Sequence, residues 1–193
     1  MSPFEFFFSF YGLLLALSVA TVAMGLVKAL KLHGPRAIGW LTPLLALFVL
    51  FDISSFWAWA WEGLREAPFS YGLMILGMVI ALIYFVAASF IFPEDNEAWT
   101  SLDDYYNRRK RVVYLGVMAS NVISYLATLA ITHADPFSPR YITTNGFAGF
   151  LVISLAVNCV VRNRWVNALM LLLNIGLYLY VATVSFRLPG VGG

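Results

Sequence analysis

Six apolar stretches, over residues 6–30, 38–61, 71–92, 112–133, 144–161 and 165–186, limit what this 193-residue chain can fold into. Each comes close to or exceeds the roughly 20 residues that cross about 30 Å of hydrocarbon at about 1.5 Å per residue. Lipid leaves no water to pair with a bare backbone, so such stretches become helices that bond their own amides. The predicted fold is therefore all-α: an integral membrane protein built as a six-transmembrane-helix bundle, with 1–193 forming a single domain. With 61% hydrophobic and only 11% charged residues, the chain has no soluble module left over. Its expected location is multi-pass in a membrane, either a plasma membrane or a bacterial inner membrane.

Orientation follows from the basic residues. Lys28, Lys31, Arg36, Arg108, Arg109, Lys110, Arg111, Arg162 and Arg164 fall on one side of the predicted spans, and Arg65, Arg140 and Arg187 on the other. The richer side is read as the inner one, which puts both termini outside. Trp40 and Trp165 then mark inner ends, while Trp57, Trp59, Trp61, Tyr71 and Tyr141 mark outer ends. The residues ahead of the first stretch carry Glu5 and no Lys or Arg, whereas a secretory leader is basic, so this stretch is expected to remain as an anchor. Short connections suggest that consecutive helices are antiparallel neighbours, and Gly12-Ala16-Ala20 and Gly116-Ser120-Ser124 offer small faces for close packing.

The longest polar segment precedes the fourth stretch. Pro93 is expected to end the third helix. A new helix is expected to start near Ser101 with Asp103 and Asp104 in its first turn, to pair Asp104 with Arg108 at i,i+4, and to run on into the membrane. Arg108, Arg109, Lys110 and Arg111 are candidates for contact with anionic lipid headgroups at the inner face.

Inside the spans, Asp52 is the only charged residue well away from an end, and an acid in that position is the leading site candidate. Ser55, Phe56 and Trp59 share its helical face, and Pro43 removes a backbone hydrogen bond lower in the same span. Unpaired and charged, it would cost several kcal/mol, so it is expected either protonated or held by polar groups from other helices. Neutral candidates for a polar cavity around it are Asn121 and Tyr125 on the fourth helix and Asn174 and Tyr178 on the sixth, each pair four residues apart and so on one face; Ser124 and Tyr84 also lie near mid-span.

Other chemistry is poorly supplied. Cys159 is the only cysteine, so no intrachain disulfide or thiolate cluster forms. His33 and His133 belong to opposite sides, which disfavours bis-histidine haem, and no ligand spacing for a metal occurs. Lys28, Lys31 and Lys110 sit at membrane edges, so a buried Schiff base has no lysine. No hydrolytic triad, phosphate loop or zinc-protease signature is present. The reading leans away from an enzyme, expects no cofactor, and gives no sign of a nucleic acid partner. It leaves two functions: a small transporter or channel-like protein with a proton or cation site at Asp52, or a non-catalytic membrane subunit that packs against itself or a partner membrane protein.

Overall fold

The computed structural model describes residues 3–31, 39–64, 70–94, 99, 101–132, 135–138 and 142–185. Arg36, Arg65, Arg140, Tyr141, Arg187, His33 and His133 lie outside the described residues. Among the described residues six helices follow one another: α1 (Pro3–Leu30), α2 (Leu41–Leu64), α3 (Tyr71–Ser89), α4 (Leu102–Thr132), α5 (Ile142–Val160) and α6 (Arg164–Ser185). Five of them are long and apolar enough to cross a membrane. In α5 the apolar run is shorter, Asn145–Val160.

Several boundaries follow from local chemistry. Ser70 caps α3: its hydroxyl accepts from the amide of Leu73 at 3.1 Å, satisfying one of the free N–H groups of the first turn. The same helix ends at Ser89, three residues before the predicted Phe92, where the amides of Phe90 and Ile91 fold back onto Ala87 and Ala88. As expected, α4 starts just after Ser101, whose hydroxyl accepts from the amide of Asp104, and the Asp104–Arg108 pair forms at 3.7 Å.

Asp103 does something the sequence did not suggest. Its carboxylate reaches across to α2 and accepts from the amide of Leu41 at 3.2 Å, so an acid in the first turn of one helix caps another. Beside it the hydroxyl of Thr42 donates to the carbonyl of Leu102 at 2.9 Å. Gly39 leads into α2 with φ +64, and a Cβ there would lie 2.2 Å from Asp103 Oδ1, so both its backbone and its surroundings require glycine.

Helix contacts close a ring in the order α1, α3, α4, α5, α6, α2, and α2 also touches α4 across the middle. Consecutive helices are thus not always neighbours: α3 packs chiefly along α1 and α4 and scarcely meets α2. Two residues explain part of this arrangement. Gly116 of α4 lies so close to α3 that a Cβ would approach that of Ala87 to 2.9 Å, with Ser120 and Ser124 buried on the same side. On α1, by contrast, only Gly12 of the expected small-residue face packs inward, against Trp57, while Ala16 and Ala20 are exposed. The buried stripe of α1 is instead Phe7, Tyr11, Leu15, Ser18 and Val22, spaced at the helical period.

The bundle has two recognisable ends. At the upper end Phe8 of α1 stacks against Trp57 and Trp61 of α2. At the lower end Trp40 lies against Trp165 at 5.4 Å, and Asp103 caps α2. Large apolar side chains cover much of the outside, among them Leu13, Leu17, Leu126, Ile153, Leu172 and Val184. That is the reverse of a water-soluble surface and suits hydrocarbon.

Candidate functional site

Asp52 lies near the middle of α2, where a helix hydrophobic all round would be expected to carry no charge. Its side chain has no exposed surface. Three helices supply its partners. Tyr84 of α3 donates its hydroxyl to Oδ2 at 2.7 Å, and Tyr178 of α6 donates to Oδ1 at 2.6 Å. Asn121 of α4 turns its amide nitrogen to both oxygens, at 3.2 and 3.3 Å. That nitrogen also meets Tyr84 Oη at 3.1 Å and the carbonyl of Val117 at 3.0 Å, so its two hydrogens are shared among four acceptors. Distances of 2.6–2.7 Å are in the range of hydroxyls bonded to an ionised acceptor. Among the described residues no Lys, Arg or His bonds to Asp52.

Aromatic rings seal the cluster. Phe56, one turn above Asp52, packs on Tyr84 at 5.4 Å and on Tyr11 at 5.9 Å. Phe48, one turn below, and Phe147 of α5 flank the ring of Tyr178. The hydroxyl of Ser55 bonds to the backbone carbonyl of Asp52 and not to its carboxylate. In this low-dielectric setting the carboxylate is held by neutral donors alone, an arrangement that stands only while every donor is in place.

Of the other residues expected to line a cavity with Asp52, Tyr125 and Asn174 go elsewhere. The hydroxyl of Tyr125 donates to Asn145 Oδ1 at 2.6 Å, tying the upper part of α4 to the start of α5, and the Asn145 amide donates to the carbonyl of Pro136. Asn174, one turn below Tyr178, donates to Ser154 Oγ at 2.8 Å and to the carbonyl of Met170. It joins α6 to α5 without reaching the carboxylate.

A cavity of ≈ 30 Å³ lies between α1, α2, α3 and α4 toward the upper end, with Phe7, Tyr11, Phe56, Ile80, Ser124 and Thr128 among its lining. It closes one turn short of the cluster on three helices at once, at Phe56 before Asp52, Ile80 before Tyr84 and Ser124 before Asn121. The hydroxyl of Tyr11 is buried and has no hydrogen-bond partner among the described residues.

The basic run divides. Arg108 lies over Trp99 and Arg109 over Phe90, both at an exposed edge. Lys110 is buried, with 2% of its surface exposed, so it faces the bundle and not the headgroups. Its ammonium donates to the carbonyl of Val161, and Arg111 Nε donates to that of Cys159 at 3.1 Å, so two cations close the carboxyl end of α5. With the Asn167 amide oriented to suit, its oxygen accepts from Lys110 at 2.9 Å, while its nitrogen donates to Asn158 Oδ1 and to Val161 O. Tyr106 lies beneath the ammonium at 5.5 Å and bonds hydroxyl to hydroxyl with Tyr114 at 2.8 Å. Sequence reasoning missed this lower cluster. The available signal was the pair of amides, Asn158 and Asn167, one turn inside two apolar helices.

No protein-family model, curated protein or solved structure matches the chain. Function has to be argued from this geometry.

Proposed function

We propose that the chain is a six-span membrane protein with both termini outside, and that Asp52 is its proton-binding site, serving a small transport or channel-like activity. The observation that carries this reading is a fully buried carboxyl group held by three neutral donors from three other helices. With no cationic partner among the described residues, it can gain or lose a proton without breaking an ion pair. A proton fits better than a metal cation. The hydroxyl and amide hydrogens point at the carboxylate and already fill the directions from which a metal would approach.

A second reading has its own support. The carboxyl is dry and its bonds join α2 to α3, α4 and α6, which is also what a static tie in a non-catalytic subunit or helix-packing partner would look like. Proteoliposomes carrying an imposed pH gradient separate the two. Wild type is expected to dissipate the gradient and Asp52→Asn to hold it, at a thermal stability within about 1–2 kcal/mol of wild type because the amide keeps the shape and most of the bonding. Equal gradient decay in wild-type, Asp52→Asn and protein-free vesicles leaves the static tie.

The topology is tested separately. A single cysteine introduced near Trp99, in a Cys159→Ser background, is expected to resist an impermeant thiol reagent added to intact cells. Labelling from outside would invert the orientation. The anionic-lipid role of the basic run now rests on Arg108, Arg109 and Arg111, the exposed members.

A further inference from the structure

We infer that the cavity beside Tyr11 is a water site and the path by which Asp52 exchanges its proton with the medium at the upper end of the bundle. This rests on the proton-site reading above and adds the route. Tyr11 supplies the first observation. Its hydroxyl is withdrawn from solvent and bonded to nothing among the described residues, a costly state for a donor unless water completes it. The second is the space it borders. At ≈ 30 Å³ the cavity has room for about two waters, at roughly 10–15 Å³ apiece, and Ser124 and Thr128 bring further hydroxyl groups to its lining. The Ser124 hydroxyl is committed as a donor to Ser120 O but can still accept, and apart from Tyr11, Ser124 and Thr128 the lining is apolar.

The third observation is direction. Lining residues run from Phe7, Ala60 and Ile131 near the upper end down to Phe56, Ile80 and Ser124, one turn from the carboxylate cluster. The Phe56 ring joins the two, lining the cavity while in contact with both Tyr11 and Tyr84. The titratable groups that face Asp52 are Tyr84 from α3, Tyr178 from α6 and Tyr11 from α1, with the neutral Asn121 from α4. A proton delivered to the cavity water passes Phe56 when that ring swings aside, binds Asp52 and takes the carboxylate from one negative charge to neutral. Release returns it by the same waters.

The test follows the protonated-carboxyl infrared band of the full chain in lipid nanodiscs after a rapid pH jump, with the band assigned to Asp52 by its loss in Asp52→Asn. Tyr11→Phe removes only an oxygen that bonds to no group among the described residues, so the fold is expected to hold. Ala127→Ile fills the cavity from its α4 wall without touching the cluster. Both are expected to slow the exchange by about tenfold, and Phe56→Ala to speed it by about as much. An Asp52 band that titrates at the wild-type rate in both Tyr11→Phe and Ala127→Ile overturns the route and leaves the proton site standing. An unchanged or slower rate in Phe56→Ala removes Phe56 as the barrier. If no band in wild type belongs to Asp52, the route and the proton site fall together.

Discussion

Asp52→Leu is expected to lower the stability of the purified protein by about 3 kcal/mol or more, the largest effect of any single substitution in the bundle. Leucine shares the γ-branch of aspartate, though it is larger, and suits an apolar helix, so on transfer energy alone the change would be favourable. What decides the sign is the set of donors left behind. Tyr84, Tyr178 and Asn121 each direct a hydrogen at the carboxylate; Asn121 keeps Tyr84 Oη and Val117 O as acceptors, but the two tyrosine hydroxyls lose the carboxylate oxygens they donate to. Two orphaned hydroxyls at about 1–3 kcal/mol each outweigh the gain. Thermal unfolding in detergent measures it: a fall in Tm of roughly 10 °C is expected for Leu. A leucine variant as stable as wild type would mean that the three donors contribute nothing to holding the bundle together.

The second large effect is expected at Lys110. Lys110→Met keeps the aliphatic stem but leaves Asn167 Oδ1 without its donor and removes a cation from the carboxyl end of α5. An unpaired buried acceptor costs about 1–3 kcal/mol and the helix-end charge about 0.3–1 kcal/mol, so a loss of roughly 2–3 kcal/mol is expected. Arg109→Gln, next to Lys110 on α4 but exposed, is expected to stay within about 1 kcal/mol, the worth of a surface cation over Phe90. Equal losses in the two variants would show that burial does not set Lys110 apart from the rest of the run.

These two residues also show where sequence reasoning reaches and where it stops. The helices, the early start of α4 and the Asp104–Arg108 pair were legible because they depend on residues close in the chain. Asp52, Asn121 and Tyr178 stood out for the same kind of reason, as polar groups at mid-span in apolar helices. Partnership was another matter. That Asn174 and Tyr178 share a face of α6 follows from spacing, yet the two bond to different helices, because a face broad enough to meet both α2 and α5 does not say which residue meets which. Asp103 read as a first-turn acid of its own helix and caps α2 instead. Lys110 read as one of four equivalent charges, since composition carries no record of depth. In each case the missing information was the ring order of the helices, and the weak contact between α2 and α3 shows how far that order departs from the order along the chain.

The ring has a consequence for how the protein is made. Helices leave the ribosome in sequence, so α2 is inserted long before α6, and 126 residues separate Asp52 from the tyrosine that completes its bonding. Tyr84 of α3 and Asn121 of α4 arrive first. Until the last helix enters, one carboxylate oxygen has only a shared amide hydrogen to hold it. The nascent five-helix assembly is therefore an intermediate with its most polar group half-finished, and docking of α6 is the step that closes the interior. Of the six helices, the sixth supplies the final bond.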